Sequence, residues 1–185
     1  LDNNMTAHPD ALADYTRFPP ERPIQPENYF PKLNNFFFYF EKIIGHDVII
    51  AGHPRAGYGE NNPFEKRKII FGDTVNLVRN ADVVLLHSST SINFAIVYQK
   101  PLIFLTSNRL TTHNKMSVKN FASYFNKKPI NISSRLPSKS IILKNMKIDE
   151  KLYSKYREFY IKEEGTPEKP IAEILSDYLK EKYYI

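Results

Sequence analysis

Apolar residues along this chain fall into short runs and helical stripes separated by turn-forming residues, and that alternation predicts most of its elements. From Glu27 onward Tyr29, Phe30, Leu33, Phe37, Phe40 and Ile44 recur at helical spacing. Pro31 is tolerable in the first turn and Gly45 suits a C-cap, so a helix of about four turns is expected. Asp47 to Ala51 is a continuous apolar run closed by Gly52, the mark of a buried parallel strand. The loop Gly52-His53-Pro54-Arg55-Ala56-Gly57-Tyr58-Gly59 leads to a second strand at Lys68 to Phe71, ended by Gly72. Asp73 or Thr74 can start a helix carrying Val75, Leu77 and Val78. A third strand at Asp82 to Leu86, a helix through Ile92, Phe94, Ala95, Ile96 and Tyr98, and a fourth strand at Pro101 to Leu105 follow.

Short strands alternating with helices predict βαβ units and an α/β fold: a Rossmann-like, doubly wound parallel sheet in three α/β/α layers. Beyond Thr106, Lys115 to Phe125 reads as a helix, Pro129 to Ser133 and Ser140 to Leu143 as strands, and Leu152 to Tyr160 as a helix. Glu168 to Tyr183 is amphipathic, and its stripe of Ile171, Ile174, Leu175, Tyr178 and Leu179 is expected to dock on the sheet. Residues 1–27 hold Pro9, Pro19, Pro20, Pro23 and Pro26, which predicts an irregular loop there.

Composition narrows the classes. The 185 residues suit a single domain, and the 42% hydrophobic and 25% charged fractions are those of a folded globular chain. No apolar run approaches the roughly 20 residues of a membrane-spanning helix, and the first residues lack the basic start and apolar stretch of a signal peptide. With Cys 0, disulfides, thiolate zinc sites and cysteine nucleophiles are excluded. The net charge of +6 suits an anionic partner.

In an open parallel sheet, ligands bind where the carboxyl ends of the strands lead into helix starts. Three segments fall there, and the most informative is His87-Ser88-Ser89-Thr90, whose hydroxyls and free N–H groups suit a phosphate. The alternatives are a plain helix cap for the serines and a structural role for His87. His53 and Arg55, with Pro54 holding the turn and Gly52 and Gly57 letting the backbone approach, would stabilise a departing phosphate; a solvated basic loop is the alternative. Gly72, Asp73 and Thr74 hold a base or ribose or, the favoured reading, only start a helix. A weaker His8-Pro9-Asp10 lies in the proline-rich loop. If Leu1-Asp2 ends a first parallel strand, Asn3, Asn4 and His8 face the same crevice. The His and carboxylate spacings fit no familiar metal site, and the glycines of Gly52 to Gly59 match neither a dinucleotide fingerprint nor a P-loop.

With those residues placed, Asp47 to Thr106, about a third of the chain, resembles the C-terminal, donor-binding half of a GT-B glycosyltransferase. The nearest likeness is to bacterial surface-polysaccharide enzymes that use CMP-linked acidic sugars, the sialyltransferase and Kdo-transferase groups. Those carry a His-Pro motif after one strand and a Ser-Ser or Ser-Thr motif after a later one, matched here by His53-Pro54 and Ser88-Ser89-Thr90. Ala81-Asp82 and Lys100-Pro101, each before an apolar strand, are also similar to GT-B donor domains and to UDP-sugar 2-epimerases.

The resemblance implies a nucleotide-sugar substrate, CMP- or UDP-linked, with no further cofactor and no metal. It implies His53 and Arg55 as leaving-group stabilisers, and as donor-binding residues His53, Pro54, Arg55, Gly72, Asp73, Thr74, His87, Ser88, Ser89, Thr90, Asn3 and Asn4. It also implies a glycan or glycolipid acceptor in capsule or lipo-oligosaccharide synthesis, and a cytoplasmic location, peripheral at the inner face of the cell membrane. The acidic base of those transferases sits in an N-terminal domain that these residues do not contain. Because the chain opens Leu1-Asp2-Asn3-Asn4 without Met, residues 1–185 are expected to be one excised nucleotide-sugar-binding domain, inactive in transfer by itself. The competing readings are a UDP-sugar 2-epimerase-like or glycerophosphate-transferase half domain, a catalytically dead assembly partner, and a basic nucleic-acid module. The last is disfavoured because Lys and Arg are scattered and no nucleic-acid motif appears.

Overall fold

The computed structural model describes residues 1–6, 24–58 and 61–183. Helix α1, Pro26–Ile44, starts with Pro at N1, where a missing N–H is harmless, and carries Glu27 in its first turn. It buries Tyr29, Leu33, Phe36, Phe37 and Phe40 on one stripe. Gly45 ends it in the left-handed region at φ 81° and donates its N–H to Glu41 O at 2.7 Å, the C-cap its residue type allows.

Two small parallel sheets follow. Strand β1, Ile50–Ala51, pairs with β2, Ile69–Ile70. Strands β3, Val84–Leu86, β4, Leu102–Thr106, and β5, Ile130–Asn131, form the other sheet in that order, all parallel. Helix α2, Thr74–Asn80, links β2 to β3, α3, Ile92–Val97, links β3 to β4, and α4, Thr112–Tyr124, links β4 to β5. The β1 to β2 connection contains no helix among the described residues. Beyond β5 come α5, Lys139–Asn145, α6, Glu150–Tyr160, and α7, Ile171–Tyr183. An α/β fold with parallel pairing is therefore present. Leu102, Ile103, Phe104 and Leu105 are 0–1% exposed, so β4 is covered on both faces, with α4 and α5 packed against it.

Several expectations are corrected. The run Asp47 to Ala51 is strand only at its last two residues, because Val48 donates its N–H to Glu41 Oε1 at 3.0 Å instead of joining a ladder. Ser140 to Leu143 is helical, inside α5: Ile142 is fully buried while Ile141 and Leu143 stand about half exposed, one face in and its neighbours out. The stripe of α7 does not dock; the helix has no buried residue, and Ile171 is 85% exposed. Within 1–27, the described residues 1–6 and 24–25 belong to no helix or strand, and 7–23 lie outside the described residues. Asp2 N donates to Ala51 O at 3.1 Å and Leu1 N to Leu85 O at 2.7 Å, so Leu1 and Asp2 lie in extended contact with both sheets, and α1 already begins at Pro26. His8, Pro9 and Asp10 lie outside the described residues, as do Pro19, Pro20, Pro23 and Gly59.

Candidate functional site

The loops after β1 and β3 meet at the carboxyl edge of the sheets through residues 1–4. Asp2 is the hub. Its carboxylate accepts the Tyr58 hydroxyl, the backbone N–H of His53 at 3.1 Å and that of Asn4 at 2.8 Å. Burial, followed by the negative charge of Asp2, pushes both the Tyr29 and Tyr58 phenols far above their ordinary value, so both stay protonated. Asn3 donates its Nδ2 to Ser88 O and thereby joins the β3 loop to the same cluster. Asn4 is buried at φ 49°, a left-handed conformation that Asn tolerates better than most residues. Two side-chain atoms here, Asn3 Oδ1 and Asn4 Nδ2, are buried without a hydrogen-bond partner among the described residues. One acceptor and one donor are thus left for a polar group to meet, and orphaned buried groups of this kind are costly.

In the β1 loop, Arg55 N donates to His53 Nδ1 at 3.2 Å, which leaves Nε2 as the protonated nitrogen of the neutral ring. His53 is half-buried, while Pro54 and Arg55 are exposed. A Cβ placed on Gly52 would come within 2.6 Å of the Phe71 ring and 2.9 Å of Ile69 Cγ2. The missing side chain at Gly52 therefore serves the packing of Phe71, not the approach of a ligand. At Gly57 a Cβ would meet open space.

In the β3 loop the four candidates separate. Ser89 Oγ accepts Ser91 N–H at 3.3 Å, a local turn contact, while Ser91 stands at the N-cap of the helix and no side chain caps it. The Ser88 and Thr90 hydroxyls bond no other group among the described residues. Helix α3 is only six residues long, so its dipole is short and the turn itself must supply any anion-binding donors. His87 points inward. It is 4% exposed, its Nε2 lies 3.0 Å from the Tyr29 hydroxyl, and burial pushes the imidazole down to about 3. That placement corrects its assignment as a phosphate donor: a neutral base in the core carries no charge to offer an anion. After β2, Gly72 adopts φ 74°, α2 starts at Thr74 with Asp73 as its N-cap residue, and Asp73 Oδ1 accepts the Asn76 side-chain amide at 2.6 Å without bonding a backbone N–H of the helix.

A cavity of about 370 Å³ lies between β1 and β3. Its lining includes Asn3, Asp73 and His87 but none of His53, Arg55, Ser88, Ser89 or Thr90. Asp2 and Asn3 therefore belong to the cavity wall, while the His53 and Ser88 loops stand outside it. The composition signal missed Asp2, whose only mark is an acidic residue directly after an apolar one at a strand end. It also missed the second polar knot, where Ser107 Oγ and Ser133 Oγ lie 2.7 Å apart beyond β4 and β5. No group of three or more His, Asp or Glu comes together as a metal site among the described residues, and none of their helices is long and apolar enough to cross a membrane.

No protein-family model, curated protein or solved structure matches this chain.

Proposed function

We propose that this chain is the nucleotide-sugar-binding half of a glycosyltransferase of bacterial surface-polysaccharide synthesis, with the three-layer doubly wound architecture of a GT-B donor domain. The observation that carries the reading is the stitching of two loops by residues 2 to 4: Asp2 holds the His53 turn and Asn3 holds the Ser88 carbonyl at one edge of the parallel strands. That edge is where open parallel sheets take their ligands. The Ser88 and Thr90 hydroxyls, which bond no other group among the described residues, offer donors to phosphate, and Asn3, which lines the cavity, offers Oδ1 as an acceptor to a base or ribose hydroxyl.

In the full-length protein an acceptor hydroxyl attacks the anomeric carbon of the donor sugar. The bond from that carbon to the nucleotide phosphate breaks, its electron pair goes to the phosphate oxygen, and the hydroxyl proton goes to an acidic residue of an N-terminal domain. His53 and Arg55 stabilise the charge gathering on the phosphate, an electrostatic contribution of the kind that dominates such reactions. His87 takes no part. The donor is a CMP-linked acidic sugar, the acceptor a glycan or glycolipid, and the surplus of positive charge draws the protein to an anionic membrane face. The chain alone binds nucleotide without transferring sugar.

Titration calorimetry with CMP, CDP and UDP tests this. Micromolar to millimolar binding is expected, weakened at least about tenfold, or ~1.4 kcal/mol, in His53→Ala and in Ser88→Ala. Absence of binding at millimolar nucleotide, or binding unchanged in both variants, would overturn it.

A further inference from the structure

The groove between β1 and β3 has the dimensions and the polarity of a missing strand. At its carboxyl end a single extended stretch, Leu1-Asp2, bonds β3 on one side and β1 on the other, so the two strands there stand one strand apart. Parity of the ladders fixes what lies further along. Ile50 and Gly52 donate to β2 and Val84 to the residue before β4, so the alternate groups of Ile49, Ala51, Val83 and Leu85 face the gap. Among the described residues, only the carbonyls of Ala51 and Leu85 are met there, by Asp2 and Leu1. The carbonyls of Ile49 and Val83 and the N–H groups of Ala51 and Leu85 find no backbone partner among the described residues. The walls are mostly apolar, with Phe40, Ile44, Leu77 and Val83 among residues that also include Asp73 and Asn76, and Ile49 stands 50% exposed. A parallel strand edge left open in this way is a ready template for one more strand.

We infer that this groove seats a sixth parallel strand, an extended apolar segment that runs into Leu1 from its amino-terminal side and joins the two sheets into one. The residue directly before Leu1 donates its N–H to Ile49 O and accepts from Ala51 N; the one before that donates to Val83 O and accepts from Leu85 N. Counted first, this strand gives a sheet in the order 3-2-1-4-5-6, the doubly wound arrangement whose reversal point lies between its first and fourth strands. Asn3 and Ser88 meet at that point. The inference stands on the groove alone and needs no nucleotide.

The test uses the chain as it is and two versions carrying Val-Ile-Val-Ile-Val or Gly-Ser-Gly-Ser-Gly ahead of Leu1, with amide hydrogen exchange read at Ala51 and Leu85. The apolar extension is expected to slow both amides at least about tenfold and to raise the unfolding temperature, and the Gly-Ser extension to do neither. Equal protection with both extensions, or none with either, overturns the inference. So does precipitation of the apolar version alone, since a seated strand buries the added residues. Concentration-dependent protection in the unextended chain assigns the groove to a second copy and overturns it as well. Calorimetry with nucleotide moves independently of all these outcomes.

Discussion

His87 is held in the core by the Tyr29 hydroxyl, with its folded-state value near 3 against an ordinary value of 6.5. In the window between those values the unfolded chain carries a proton that the folded one refuses. Stability therefore falls as pH drops from about 6.5 toward 3, by up to about 1.4 kcal/mol per pH unit, while above 6.5 the residue contributes no pH dependence. His87→Phe should lose the Tyr29 bond yet flatten that slope. Urea unfolding at pH 4.5, 5.5 and 7.5 measures it, and equal slopes in the two proteins would mean that the ring is protonated in the folded state. At this scale the sequence gives residue types but not the direction in which a side chain points. His87 and Ser88 are neighbours at a strand end, where successive side chains go to opposite faces, and nothing in their identity says which one faces the core. Asp2 could not be ranked for the same reason: its value lies in three donors that come from Asn4, His53 and Tyr58.

At the scale of elements, α1 owes its position to an ion pair as well as to its aromatic stripe. Arg67 grips Glu41 with two hydrogen bonds, Nε to Oε1 and Nη2 to Oε2, both 2.7 Å, and the two side chains are 10% and 19% exposed. Burial pushes Glu41 up, but the Arg67 hydrogen bonds, the Val48 N–H and the Arg67 charge outweigh it and hold the carboxyl below its ordinary 4.5. The stabilisation is thus complete above about 4.5 and is lost as pH falls through the lowered folded value. Glu41→Gln should destabilise by about 2 kcal/mol at neutral pH, with the deficit shrinking in acid. A deficit independent of pH in thermal unfolding would show that shape rather than charge holds the pair. The helical period placed the start of α1 to within a residue and Gly45 marked its end, because both signals are local, but its 19 residues make about five turns instead of four and Pro31 lies past the first turn. Strand lengths were not legible, since pairing depends on a partner: Asp47 to Ile49 have strand character but no ladder. The short run Ser140 to Leu143 has no decisive period, and as a helix it turns Ile142 into the core.

On the scale of the whole molecule, the β1–β2 pair and the β3–β4–β5 sheet share no ladder, and residues 1–2 bridge them. The alternation of strands and helices made the parallel α/β character readable in advance. The break between the sheets was not, because it depends on whether β1 and β3 pair with one another, and apolar runs do not name their partners. Asp2 is the polar clamp of that bridge. Removing its carboxylate in Asp2→Ala leaves the Tyr58 hydroxyl and the N–H groups of His53 and Asn4 without their acceptor, at about 2–3 kcal/mol for hydrogen bonds to a charged group. The loss should fall on one side. Amides of the β1–β2 ladder, Ile50 N donating to Lys68 O and Gly52 N to Ile70 O, should exchange faster by about the factor that this energy implies, roughly thirty- to a hundred-and-fiftyfold. Val84 N, bonded to Pro101 O at the edge of the larger sheet, should keep its rate. If all three amides accelerate together, the two sheets open as a single cooperative unit, and the bridge at Leu1-Asp2 is then a detail of one core instead of the joint between two.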